Sequence, residues 1–166
     1  KTRNLARRHR WGYSIVNGPE FREYWDRKRS DPRSIDELVL TALSESDEDI
    51  TWDAVCVLQF RGTERVLARA ETLCRSDTPK ERCLGANILG QLGVPDRTFP
   101  KQCLLILLRM LDHEIDPDVL QAILVALGHL KEPDAIEPAS RYRKHPDPDV
   151  RHGVVLVLTG HADQRA

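Results

Sequence analysis

The chain has 166 residues, which suits one domain with a continuous core, and its 40% apolar content argues against wholesale disorder. No uninterrupted apolar stretch is longer than the six residues of 103–108, far too short to cross a bilayer. The net charge of −1 hides an uneven distribution: residues 1–33 hold ten basic and four acidic residues (+6), and the remainder holds 15 and 22 (−7).

Residues 1–33 form a basic segment rich in aromatic residues. Phe21, Tyr24 and Trp25 share one face of a predicted helix. One interpretation is a cap that packs these rings on the rest of the protein, and docking of the whole segment on the acidic body is another. The alternative is a contact with a polyanion such as nucleic acid. Its cations would be Arg7, Arg8, Arg10, Arg27, Lys28 and Arg29.

The second part of the chain, residues 34–166, contains a repeat. Four segments align without gaps: 47–58, 78–89, 116–127 and 147–158. Their final leucines are 31, 38 and 31 residues apart. The longer middle interval predicts an extended loop around Val94–Pro100.

Each repeated segment begins like a helix. The predicted N-caps are Asp47, Thr78, Asp116 and Asp147. Proline follows all but the first of them, at the position where a missing N–H is harmless. Thr78 and Glu81 have the spacing of a capping box, and Gly62 and Gly93 are suited to end the first two helices.

A partner helix is predicted before each repeated segment. Apolar residues at helical spacing mark these partners at 35–43, 66–73, 103–111 and 135–142. The third is apolar almost all round, so we expect it to be buried between neighbours. Pro138 predicts a kink or a late start in the fourth. The sequence therefore predicts an all-α fold in which a helix-turn-helix unit occurs four times.

The motif Asp-Pro-Asp-Val-Arg followed by leucines, clearest at 116–130 and 147–158, resembles the HEAT-like repeats named after phycobilin (PBS) lyases. The resemblance covers about residues 34–162 and is weakest at 47–58. It implies an alpha-alpha superhelix (solenoid) of about four HEAT-like hairpins, with the second helix of each hairpin on the concave side. This is a fold and not a function. We expect a non-catalytic scaffold that binds another protein or peptide.

Positions that point away from the core recur along the second helices. From them we predict the partner-binding residues Trp52, Gln91, Gln121, His129 and His152. The alternative is that Trp52 belongs to the core and that the others are ordinary solvated side chains. Arg82 and Arg151, four residues after their N-caps, are predicted to form a ladder between repeats.

Enzymatic alternatives have little support in the sequence. Deoxyhypusine hydroxylase, an iron enzyme of HEAT repeats, uses several His-Glu pairs, whereas this chain has only His113-Glu114. A HEAT-like DNA glycosylase would need a cationic groove, which a body of charge −7 disfavours. A bilin lyase-type enzyme would need a presented cysteine or acid, and none stands out. We predict no catalytic residue, no metal and no cofactor, and keep the last two enzymes as alternatives.

The four cysteines, Cys56, Cys74, Cys83 and Cys103, form no CxxC pair and lie within apolar helical patterns. This favours buried thiols in a reducing compartment, and hence a cytoplasmic protein. After the last repeat, residues 160–166 align with the start of another. We expect a longer parent protein to continue beyond them, or self-association to cover this end.

Overall fold

The computed structural model describes residues 19–159, with side chains from Arg22 onward. Its helices are α1 (Pro19–Arg29), α2 (Ile35–Ser44), α3 (Glu48–Arg61), α4 (Glu64–Cys74), α5 (Pro79–Gly90), α6 (Pro100–His113), α7 (Pro117–Leu130), α8 (Ile136–Ser140) and α9 (Pro148–Thr159). A 3₁₀ turn at Pro133–Ala135 precedes α8. No strand occurs in this range, so the all-α prediction is confirmed for it.

The helices pair into four hairpins, α2–α3, α4–α5, α6–α7 and α8–α9. The second helices then stack in the order α3, α5, α7 and α9, and one unbroken cluster of buried apolar side chains runs through the whole stack. This is the predicted solenoid of four HEAT-like hairpins. We call α3, α5, α7 and α9 the inner helices and α2, α4, α6 and α8 the outer helices.

Aspartate caps start the inner helices as predicted. The Asp47 carboxylate accepts hydrogen bonds from the backbone N–H groups of residues 49 and 50, and Asp116 and Asp147 do the same for their own helices. The capping box predicted at Thr78 is wrong. The Ser76 hydroxyl accepts from the Thr78 N–H, which is the group that Glu81 would have to bind.

A capping box forms instead at the start of α2. The Glu37 N–H donates to the Ser34 hydroxyl at 3.2 Å, and the Ser34 N–H donates to the Glu37 carboxylate at 2.7 Å. Ser34 and Glu37 have the Ser-x-x-Glu spacing of this motif but lie outside the four repeated segments.

The end of α5 also differs from the prediction. Gly62 caps α3 in the left-handed region (φ 53°), but α5 ends at Gly90 and the chain then turns back over α3. The Gly93 N–H donates to the Gln59 carbonyl at 2.7 Å, and the Thr98 hydroxyl donates to the Gly62 carbonyl at 2.8 Å. The longer loop after α5 thus joins the second hairpin to the first through these two hydrogen bonds.

The inner helices approach one another closely. A Cβ built on Gly90 would lie 2.8 Å from the Cα of Ala126, and one built on Gly153 would lie 2.7 Å from the Cβ of Leu124. The outer helices make far fewer contacts with one another. The stack is therefore packed more tightly on the side of the inner helices than on the side of the outer helices.

The outer helix α6 corrects a sequence prediction, whereas α8 is short and interrupted as Pro138 predicted. The side chain of Leu105 on α6 is 53% exposed, so α6 is not buried on all sides as predicted. α6 packs on its neighbours through Cys103, Leu104, Leu107 and Leu111, and Leu105 lies on the opposite side of the helix. α8 has only five residues, because the chain first makes the 3₁₀ turn and Pro138 then lies inside a helix that has no room to extend.

Candidate functional site

The solvent-facing side of the inner helices, which we call the inner face, is a regular array of half-exposed residues. On each helix they are spaced four apart, which places them on one side of it. They are Cys83 and Asn87 on α5 with Gln91 directly after it, Gln121, Val125 and His129 on α7, and His152 and Leu156 on α9. All are half-buried except His152, which is exposed.

The inner face carries no aspartate, glutamate, lysine or arginine beyond the first turns of three helices. The last such residue is Arg82 in α5, Asp118 in α7 and Arg151 in α9. The outer helices α4 and α6 differ, because they carry charged residues near their ends as well, at Arg69 and Glu71 and at Arg109 and Asp112. Amide, imidazole and small apolar groups lose less free energy on desolvation than charged groups, so this face suits contact with another surface.

The predicted partner-binding residues fall on this array. Gln121 and His152 occupy the same repeat position on α7 and α9, and Gln91 and His129 share a position nearer the helix ends. Trp52 occupies the first of these positions on α3, and its side chain is 38% exposed. It is therefore not a core residue. That any of these residues binds a partner stays a prediction.

The aromatic side chains of α1 cover the end of the array on α3. The rings of Tyr24 and Trp25 lie 5.8 Å and 6.2 Å from the ring of Phe60, whose side chain is only 8% exposed. Phe60 is the α3 equivalent of Gln91 and His129, so α1 removes this position from the inner face.

Basic side chains on α1 and just after it also bind α3. Lys28 pairs with Asp53, and Arg33 reaches the other oxygen of that carboxylate at 3.1 Å. Desolvation raises the pKa of Asp53, but hydrogen bonds from Lys28 and Arg33 outweigh it and leave the pKa below its usual range. The Arg29 Nε donates to the Phe60 carbonyl at 3.2 Å. These bonds hold α1 against α3.

The polyanion contact predicted for this segment therefore has a competitor within the fold. Lys28 and Arg29 already bind α3, while the guanidinium of Arg27 lies 5.6 Å from the centre of the Tyr24 ring. Arg7, Arg8 and Arg10 lie outside the described residues. The contact stays a prediction.

All four thiols are free, with Cys74 and Cys103 buried and Cys56 and Cys83 half-buried. Burial raises the pKa of Cys56, Cys83 and Cys103 to about 11 and that of Cys74 to about 12. Since the thiolate is the nucleophile, these values make the cysteines poor nucleophiles at neutral pH.

The His-Glu pair is used structurally. The Glu114 carboxylate binds Arg82, and the His113 ring lies against the Arg109 carbonyl at 3.0 Å. Between residues 19 and 159, no group of three or more His, Cys, Asp or Glu side chains is arranged to hold a metal ion. No helix in the same range is long and apolar enough to span a membrane.

The stacked hairpins and their motif agree with the comparisons with known proteins. The family described as HEAT repeats matches residues 73–159, which is more than half of the chain. The chain belongs to the HEAT-repeat family.

Among solved structures, human deoxyhypusine hydroxylase in complex with glycerol is similar, with a TM-score of 0.56 and 19% identity over 81% of this chain and 45% of that one. At this identity the likeness concerns the HEAT-repeat fold alone, and this chain spans less than half of that protein. No curated protein matches the sequence.

Proposed function

We propose that this HEAT-repeat protein is a non-catalytic scaffold that binds another protein along its inner face. The observation that carries the proposal is the absence of charged side chains from three of the inner helices, α5, α7 and α9, beyond their first turns. Interface centres are depleted of charge, and neutral amide and imidazole groups can hydrogen-bond a partner without the cost of burying an ion. Trp52 supplies an aromatic anchor at one end.

The partner class that fits best is an extended peptide or an amphipathic helix. Gln91, Gln121 and His152 offer donors and acceptors on successive hairpins. Val125 and Leu156 lie between them as shallow apolar contacts. A partner laid across the stacked helices would meet these groups in turn, as in other helix-in-groove complexes.

Site-specific photo-crosslinking tests the location of the contact. A benzophenone side chain at position 121 on the inner face is compared with one at position 72, which is exposed on the outer helix α4. We expect one protein to crosslink from position 121 and not from position 72. Crosslinks from position 72 alone would place the contact elsewhere and refute the proposal.

With that protein purified, paired variants test the two features of the face. Gln121→Glu adds a charge to the inner face, and Gln102→Glu makes the same change on the exposed side of α6. Trp52→Ala is paired with Leu40→Ala, since Leu40 is 65% exposed on α2. We expect each inner-face variant to raise Kd by about tenfold or more, and each control by less than about twofold. Equal effects within the pairs would contradict the proposal.

We also propose that the side of α9 on which Val155 and Leu158 are exposed supports self-association. Val155 and Leu158 are 51% and 41% exposed, whereas their equivalents 31 residues earlier, Leu124 and Leu127, are fully buried. Leu124 is covered by α9 through Gly153. Sedimentation equilibrium should show a concentration-dependent dimer that Leu158→Glu abolishes and Leu40→Glu does not. A monomer at all concentrations would refute it.

The thiols support a further proposal, that the protein resides in the cytoplasm. Four free cysteines, two of them buried in the core, suit a reducing compartment, where no disulfide competes with their packing. Fractionation of cells that produce the protein tests this, and recovery from an oxidising compartment would contradict it.

A further inference from the structure

A cleft lies between the outer helices α4 and α6, on the side of the molecule away from the inner face. It encloses about 360 Å³ and is lined by both helices, the start of α5 and the loop between α6 and α7. It exists because the outer helices of neighbouring hairpins are not drawn together as the inner helices are. A cavity of this size accommodates one or two side chains of a partner.

The cleft has apolar groups inside it and at its mouth. Ile106 and Met110 on α6 line it and are half-buried. Ile115, in the loop that follows α6, also lines it and is 89% exposed, more than any other exposed large apolar residue in the described part of the chain. An aliphatic side chain placed here would remove apolar surface from water on both sides of the contact.

The cleft also holds a surplus positive charge. Its two carboxylates are paired, Glu71 with Arg75 and Glu114 with Arg82. Arg109, exposed on α6, makes no hydrogen bond or ion pair through its side chain with any residue between 19 and 159. This guanidinium is available to a carboxylate brought by another molecule.

Arg75 can join Arg109 at little cost. Its pair with Glu71 is an i, i+4 contact in which the arginine side chain is 69% exposed. Exposed pairs of this kind contribute little to stability, so Arg75 can turn to a new carboxylate. Arg82 cannot, because it is bound to a glutamate whose side chain is only 6% exposed.

We propose that this cleft binds an acidic peptide segment of a partner protein, with a carboxylate on Arg109 and an aliphatic side chain against Met110 and Ile115. Charge complementarity selects an acidic partner, and the apolar lining selects a peptide over a nucleic acid. Nucleic-acid binding draws on several phosphate contacts, whereas the cleft has one surplus cation and a carboxylate, Glu71, beside it. The site is separate from the inner face, so either can fail without the other.

Fluorescence anisotropy with defined peptides tests the proposal. The probe is fluorescein-labelled Gly-Glu-Asp-Leu-Leu-Glu-Asp-Gly. Its control replaces every acid by the corresponding amide, and a single-stranded oligonucleotide of similar charge is the third ligand. The protein variants are Arg109→Gln and a matched control, Arg65→Gln, which removes another exposed arginine, on α4 and outside the cleft.

We expect the wild-type protein to bind the acidic peptide and to bind the amide peptide at least about tenfold more weakly. Arg109→Gln should weaken binding of the acidic peptide by about tenfold, and Arg65→Gln by less than about twofold. Ile115→Ser should weaken it by several fold. Because Ile115 is 89% exposed, we expect that change to leave the stability of the protein nearly unchanged, which thermal unfolding checks.

Three results would overturn the proposal. One is no binding of the acidic peptide at millimolar protein concentration. Another is an equal loss in Arg109→Gln and Arg65→Gln, which would mean general charge attraction. The third is tighter binding of the oligonucleotide with the same dependence on Arg109, which would assign the cleft to nucleic acid. None of these results bears on the crosslinks expected from the inner face.

Discussion

The guanidinium of Arg82 and the carboxylate of Glu114 join the second hairpin to the third by two hydrogen bonds, 2.8 Å from Nε and 3.1 Å from Nη2. Nη1 of the same arginine donates to the carbonyls of Ser76 and Asp77. Glu114 in turn accepts from the N–H groups of residues 115 and 116. One buried pair therefore fixes the loop before α5 and the loop before α7 relative to each other.

Removing the charge of Glu114 tests this linkage. Glu114→Gln leaves the guanidinium of Arg82, whose side chain is 19% exposed, without its carboxylate. We expect the free energy of unfolding to fall by about 3 kcal/mol, as for other buried pairs that lose one partner. Urea denaturation followed by circular dichroism measures it.

The matched control is an exposed pair that also spans hairpins. Arg141 on the loop after α8 reaches Asp112 at 3.4 Å, with side chains 58% and 54% exposed. Asp112→Asn should cost less than about 0.5 kcal/mol. If both substitutions cost the same, burial of the Arg82–Glu114 pair does not matter to the stack.

Protonation of Asp31 is expected to lower the stability of the protein at low pH. Hydrogen bonds from the Arg33 side chain hold the pKa of Asp31 at about 2, below the value of about 3.9 in an unfolded chain. A carboxyl group with a lowered pKa stabilises the fold above the unfolded pKa, and this contribution disappears as the pH falls from about 4 to about 2.

Comparison with Asp31→Asn isolates this effect. Between pH 6 and pH 2 the wild-type protein should lose about 1 kcal/mol more than the variant, after allowance for solvent screening. Asp36→Asn is the control, because the side chain of Asp36 is 84% exposed. An Asp31→Asn variant with the same pH dependence as the wild-type protein would contradict the prediction.

Gly90 should be intolerant of a methyl group. In an exposed helix, alanine stabilises relative to glycine by roughly 0.5–1 kcal/mol. At Gly90 the added Cβ would lie 2.8 Å from the backbone of Ala126, so α5 and α7 would have to separate. We expect Gly90→Ala to lower the free energy of unfolding by about 2 kcal/mol.

Gly128→Ala provides the comparison. Its nearest contact would be 3.1 Å, to the carbonyl carbon of Leu156, so a small shift of α9 suffices. The gain in helix propensity should then offset most of the crowding, and the two variants should differ by at least about 1 kcal/mol. Equal melting behaviour would mean that the inner helices are not held at contact distance.

The raised thiol pKa values predict slow alkylation. With a pKa of about 11, Cys56 and Cys83 should react with iodoacetamide at pH 7 about a hundredfold more slowly than a free cysteine. Above pH 7 their reaction rate should rise about tenfold for each unit of pH, because the thiolate fraction rises by that factor. Mass spectrometry after timed alkylation measures both. A cysteine that reacts rapidly with an apparent pKa below 8 would indicate an activated nucleophile and revive the enzymatic alternatives.

The sequence by itself determined where most helices begin and that hairpins repeat. Asp116 and Asp147 cap their helices through groups only two and three residues away, and apolar spacing within a helix is equally local. Such features depend on neighbouring residues in the chain, so they can be predicted without knowledge of the packing. The row of predicted binding positions on the inner helices follows from the same periodicity.

Only the tertiary structure decided which residues meet between hairpins. Arg82 does join two repeats, as predicted, but the sequence did not identify its partner Glu114, which lies 32 positions away. The cleft beside Arg109 depends on how far apart α4 and α6 lie, which close contacts such as Gly90 against Ala126 set on the opposite side of the stack. Distances between helices result from side-chain volumes summed over the whole core, and no short stretch of sequence contains that sum.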